Sequence, residues 1–206
     1  MKKNRLFMCS LLAMLGMNIS LYAQQGNSEL NLMVSDAAPT VLILTIFDEL
    51  GTALKANYGD YDKENKDKSI PGMISASYLY KVNKWLAAGG DLGYLHLNQE
   101  IKLTSRDGSK PDELIKRKTN LFTVMPTAKF YYLQRENINL YGVLAVGALF
   151  SGKTEKSSTL EDKENFTTFA FQINPIGIRV GKRFGGFAEL GFGMKGFATA
   201  GFSMRL

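Results

Sequence analysis

Apolar and polar residues alternate with period two along most of this chain. A strand sends residues i and i+2 to the same face, so this alternation predicts strands with one wholly apolar side. Residues 71–82 set Ile74, Ala76, Tyr78, Tyr80 and Val82 against Met73, Ser75, Ser77 and Lys81. Residues 85–104 set Leu86, Ala88, Gly90, Leu92 and Tyr94 against Ala87, Gly89, Asp91 and Gly93. Residues 118–133 set Phe122, Val124, Ala128, Phe130 and Tyr132 against Thr123, Met125, Thr127, Lys129 and Tyr131. Leu140, Leu144, Val146, Ala148 and Phe150 mark the apolar face of 138–152. Along 166–181 the apolar set begins as Phe169, Phe171 and Ile173 and continues as Ile176, Ile178 and Val180. That slip at Asn174-Pro175 predicts a β-bulge, where a proline is tolerated. Residues 186–194 set Ala188, Leu190, Phe192 and Met194 against Glu189, Gly191 and Gly193. The last strand sets Ala198, Ala200, Phe202, Met204 and Leu206 against Phe197, Thr199, Gly201, Ser203 and Arg205.

These are seven strands. An even number closes a single-chain bacterial barrel, and Ser28 to Ser35, with Leu30, Leu32 and Val34 on one face, supplies the eighth. Connections sort by length. The turns at 83–84, 134–137 and 182–185 are short, whereas 57–70, 105–117 and 152–165 are long and charged. The fold predicted is all-β: an antiparallel up-and-down transmembrane barrel of about eight strands. Its short turns are periplasmic and its charged loops extracellular. Between the first two strands, Ile43, Ile46, Phe47, Leu50 and Leu54 recur at helical spacing. They predict a short amphipathic helix at 37–56, capped by Ser35 or Asp36, although the β-branched run Val41 to Ile46 also suits a strand.

The amino terminus reads as a secretory signal over 1–23. Lys2, Lys3 and Arg5 precede an apolar run from Leu6 to Leu15, and Ala23 precedes Gln24 at the cleavage site. The barrel domain then occupies 24–206. Its composition changes the picture in two ways. Cleavage removes Cys9, the only cysteine, so the mature chain holds no disulfide or thiol chemistry. It also reduces 25 basic residues to 22 against 19 acidic ones. No basic patch interleaves with aromatics, so nucleic acid is not an expected partner.

A membrane barrel turns its apolar face to lipid and its polar face inward. The inward set carries Asp91, Lys129, Arg179, Glu189 and Arg205, with Lys81 near one end. Both signs in a narrow interior predict a lumenal charge network that holds the barrel closed. Asp91 and Glu189 are expected to pair with some of Lys129, Arg179 and Arg205. Tyr78, Tyr80, Trp85, Tyr131, Tyr132 and Tyr141 lie near the short turns and are expected to form an interfacial belt. The terminal strand resembles that of bacterial outer-membrane β-barrels, and that resemblance implies a carboxy-terminal assembly signal at Gly201, Phe202, Met204 and Leu206.

Candidate chemistry is sparse. His96 is the only histidine, on the face of Leu92 and Tyr94, with no adjacent serine. Asp60, Asp62, Glu64 and Asp67 are diluted by Lys63, Lys66 and Lys68 and lack the spacing of a calcium loop. No catalytic residue, cofactor or metal is expected.

Pro175-Ile-Gly-Ile-Arg-Val-Gly181, Gly186-Phe-Ala-Glu-Leu-Gly-Phe-Gly193, the signal and the terminal strand resemble the OmpA/OmpX-like superfamily of small outer-membrane β-barrels, in its Bacteroidetes-type branch. The resemblance covers nearly all of 70–206. The chain departs from it by ending in Leu206 where phenylalanine is usual. It implies a monomer in the outer membrane, in contact with outer-membrane lipid and inserted by the β-barrel assembly machinery. It also implies an envelope-structural or surface-interaction role and no catalytic residue. Two alternatives stand beside it. A lipid-A-modifying enzyme would use His96 as its base. A soluble periplasmic barrel binding an apolar ligand would turn Phe122, Leu144, Phe169 and Phe202 inward.

Overall fold

The computed structural model describes residues 27–40, 42, 61–69, 72–105, 113–156 and 161–206. Nine strand segments run in chain order: β1 (Ser28–Ser35), β2 (Tyr61–Ser69), β3 (Met73–Lys81), β4 (Leu86–Ser105), β5 (Glu113–Gln134), β6 (Ile138–Lys156), β7 (Glu161–Val180), β8 (Phe184–Gly193) and β9 (Ala198–Arg205). β2 and β3 lie end to end along β4, opposite its second and first halves, so the nine segments make eight staves. Every pairing is antiparallel, the staves pair in chain order, and β1 closes on β9 from Glu29↔Arg205 to Ser35↔Thr199. The result is a closed up-and-down barrel.

Burial follows the alternation in the inverted sense. Leu32, Val34, Ile74, Phe169 and Phe202 are exposed on the outer wall, whereas Asp91, Lys129 and Arg179 are buried inside. Phe122 and Leu144 also point outward, as Phe169 and Phe202 do, so the inward placement that a soluble ligand-binding barrel requires of these four is not found. From Phe122 to Tyr132 the outer face rises roughly 33 Å along the strand, or about 25 Å along the axis at the usual barrel tilt. That matches the hydrocarbon band a barrel must present to lipid. The predicted slip is real: the β7–β8 register shifts between Ile173 and Ile176, and both flank the exposed Pro175.

Two expectations are corrected. Within the charged stretches 57–70, 105–117 and 152–165, the described residues 61–69, 105, 113–117, 152–156 and 161–165 are strand, not loop. β4 to β7 run 19 to 22 residues each, against eight to ten for β1, β8 and β9. Together with β2 they project as a sheet beyond the short staves. Charge does not break a strand whose two faces are both solvated, and the register sets Lys153 opposite Glu164. The second correction concerns the lumen, which is not polar throughout. Met73, Leu95, Leu97, Leu121, Met125, Leu149 and Met194 form an apolar cluster in its distal half. All but Met194 share the parity of the polar face; Met194, expected on the outer face with Leu190 and Phe192, lies in the turn after β8, where strand parity no longer holds, and is buried in the cluster.

Residues 38–40 are helical where the amphipathic helix was expected; most of 37–56 and the whole signal segment 1–23 lie outside the described residues. The chain leaving β1 is stitched to the β8–β9 turn. Asp36 N donates to Ala198 O at 3.1 Å, Ala37 N to Lys195 O at 3.0 Å, and Phe197 N to the Asp36 carboxylate at 2.9 Å. Gly196 has φ of 119°, and any side chain there would run into that carboxylate.

Candidate functional site in the barrel lumen

The proximal half of the lumen, at the end carrying the short turns, is organised around Glu29. β1 pairing places Glu29 opposite Arg205 of β9, and both inward parities meet there. Lys129 Nζ donates to Glu29 Oε1 at 2.6 Å. Arg205 Nε lies 3.6 Å from Oε2, and the Tyr131 hydroxyl donates to that same oxygen at 3.5 Å. The Lys129 ammonium also sits 3.9 Å from the centre of the Tyr141 ring. A buried ammonium needs this much company, because an unpaired charge in such a space is costly.

Glu189 and Asp91 form separate centres. Tyr141 donates to Glu189 Oε1 at 2.9 Å and Asn174 Nδ2 to Oε2 at 2.6 Å. Gln172 extends the chain, donating to Asn174 Oδ1 at 2.6 Å and accepting from Lys195 N at 2.8 Å. Asp91 Oδ2 takes the ammonium of Lys195 at 2.5 Å. Arg179 is fully buried, yet its fork goes elsewhere. Nε donates to Ser203, Nη1 to Gly181 O, and Nη2 to the carbonyls of Lys182 and Arg183 at 3.0 and 3.3 Å. It thereby pins the β7–β8 turn from inside.

All five residues expected inward are therefore lumenal, but the partners differ. Asp91 and Glu189 pair with none of Lys129, Arg179 and Arg205. The reason is height along the axis. Lys129 is level with Ala87, four residues from Asp91 on β4, which is roughly 13 Å of strand. Lys195 instead reaches Asp91 from the distal turn. The alternation carried no hint of Lys195, which lies in a turn, and Glu29 was hidden in a short strand read for its apolar side. Tyr141 is a further correction. It shares parity with Asn139, opposite to Leu140 and Leu144, so it is a lumenal hydrogen-bond donor and not part of an interfacial belt. Tyr131 likewise turns toward Glu29. Tyr78, Tyr80, Trp85 and Tyr132 do face outward.

Among the described residues, Arg179, Tyr141, Lys129, Met73, Leu121 and Met125 are large, fully buried side chains that occupy the lumen. Among the described residues no cluster of His, Cys, Asp or Glu is arranged to hold a metal. His96 stands on the outer wall. Its Nδ1 is 2.7 Å from Asn120 Oδ1, which also accepts from the Tyr94 hydroxyl at 3.0 Å. Phe202 of β9 and Leu206 just after it are exposed, and Gly201 packs against the backbone of β1.

No protein-family model matches the chain, and no curated protein matches it in sequence. Among solved structures, the crystal structure of Ail, the attachment invasion locus protein of Yersinia pestis, aligns with 88% of this chain and 96% of its own. The identity is 13% and the TM-score 0.44. The strand registers, and not this likeness, establish the barrel.

Proposed function

We propose that this protein is an outer-membrane barrel with a sealed lumen and an envelope-structural or surface-interaction role, exported by its amino-terminal signal. The observation that carries it is the inverted wall: apolar side chains outside, a closed and internally paired polar network inside. An apolar belt about 25 Å tall has no use in water, and the large side chains buried in the lumen argue against an open pore. What remains available to partners is the rim and the projecting sheet of β2 and β4–β7. That sheet has two edges, because β2 pairs only with β4 and the distal part of β7 only with β6. Insertion by the β-barrel assembly machinery through the strand that carries Gly201, Phe202, Met204 and Leu206 belongs to this proposal, as does a monomeric state. Lipid-A chemistry is not favoured: among the described residues the hydrogen-bond partner of His96 is the Asn120 side-chain amide, which also accepts from the Tyr94 hydroxyl.

Heat-modifiability in detergent micelles tests it. The folded chain should migrate faster unboiled than boiled and resist protease over the barrel staves. A chain that is soluble without detergent and shows no shift would refute the membrane barrel.

A further inference from the structure

The three short turns form one continuous arc along the proximal rim. Gln134 Nε2 donates to Lys84 O, which ties the β5–β6 turn to the β3–β4 turn. Gly181 N donates to Asn137 O at 2.8 Å, and Lys182 pairs with Glu136, which ties it to the β7–β8 turn. The arc carries Lys84, Arg135, Lys182 and Arg183 against Glu136 alone, and Glu136 is already occupied by Lys182. Among the described residues, Lys84, Arg135 and Arg183 have no carboxylate partner. The projecting sheet at the other end mixes both signs in nearly equal numbers, so the positive excess of the mature chain is concentrated on this rim.

Aromatic and aliphatic groups stand directly above those cations. Trp85 follows Lys84 and stacks on Phe130 at 6.3 Å, Phe184 follows Arg183, and Leu133 and Ile138 flank Arg135 beside an open depression of about 660 Å³. A cation one or two residues past an aromatic girdle sits roughly 3–7 Å beyond it, at the depth of lipid phosphates. Arginine and lysine there recognise phosphate oxygens by charge and by hydrogen bonds. We propose that this rim is a binding arc for the headgroups of anionic phospholipids in the facing leaflet, with Lys84, Arg135 and Arg183 supplying the phosphate contacts. The proposal rests on the membrane barrel proposed above.

Trp85, the only tryptophan, reports on the arc from within it. The full mature chain is reconstituted in phosphatidylcholine vesicles containing brominated phosphatidylglycerol or, separately, brominated phosphatidylcholine at equal mole fraction. Quenching of Trp85 gives the relative association of each lipid. The expected result is a preference for the anionic lipid of about threefold or more, weakening as salt rises. It should be lost in the triple variant K84Q/R135Q/R183Q and kept in K163Q, which alters the projecting sheet. Equal quenching by the two lipids would overturn the proposal, as would a preference that survives the triple variant. Equal quenching together with retention on isolated cell-wall sacculi would reassign the arc to cell-wall polymer and overturn it likewise. If neither lipid quenches Trp85, the membrane barrel itself fails, and the outcome is distinct from loss of lipid preference.

Discussion

Glu29 gathers Lys129, Arg205 and Tyr131 onto one buried carboxylate. Removing its charge leaves the Lys129 ammonium buried with little beyond the Tyr141 ring. Breaking a buried pair from one side costs more than removing both partners. The Glu29→Gln variant should therefore lose about 3 kcal/mol of unfolding free energy in micelles. The double variant E29Q/K129M should recover most of that loss. A chemical-denaturant titration of the four members of the cycle measures both, and additive losses would show that the two side chains do not couple. The lumenal position of Asp91, Lys129, Arg179, Glu189 and Arg205 was legible, because parity alone decides which wall a strand residue faces. Their partners were not. Parity says nothing about height along the axis, and height is set by stagger between strands that are far apart in sequence. Lys195 illustrates this: it lies outside any alternating run, yet it neutralises Asp91 from 104 residues away.

At the level of elements, the eight staves, the bulge at Asn174-Pro175 and the first strand at Ser28–Ser35 were all readable from period two. Strand ends were not, because the alternation of hydrophobicity stops where the sheet leaves the apolar slab. The pairing continues past that point, since backbone hydrogen bonds need no apolar side chain. Exchange of backbone amides separates the two descriptions. β6 from Ser151 to Thr154 is flanked by β5 and β7, so its amides should be protected throughout. Along β7 from Glu164 to Thr168 only β6 is present, so protection should alternate from one residue to the next. Uniformly fast exchange over 151–168 would restore the loop in place of the projecting sheet.

For the molecule as a whole, everything depends on the seam between β1 and β9, which joins the two ends of the described chain. It sets the apolar outer positions Leu30, Leu32 and Val34 beside Met204, Phe202 and Ala200 in strict register. Without it, Glu29 loses Arg205 and the lumen opens along one side. The register makes a direct prediction. Val34 and Ala200 are Cα partners on the outer wall, within the separation that a disulfide spans in antiparallel neighbours. In a Cys9→Ser background, V34C with A200C should oxidise to an intramolecular disulfide in micelles. The control pair V34C with L190C, on a strand not adjacent to β1, should stay reduced. The crosslink joins residues 166 positions apart, so the oxidised chain should change its mobility after boiling without reductant and revert with it. Failure of V34C/A200C to close, with folding intact by the unboiled band, would mean that β1 and β9 do not meet in this register. A seam displaced by one residue would turn every apolar side chain of β1 into the lumen and its polar ones to the lipid, which is why pairing in any other odd register is not a small error but a different wall.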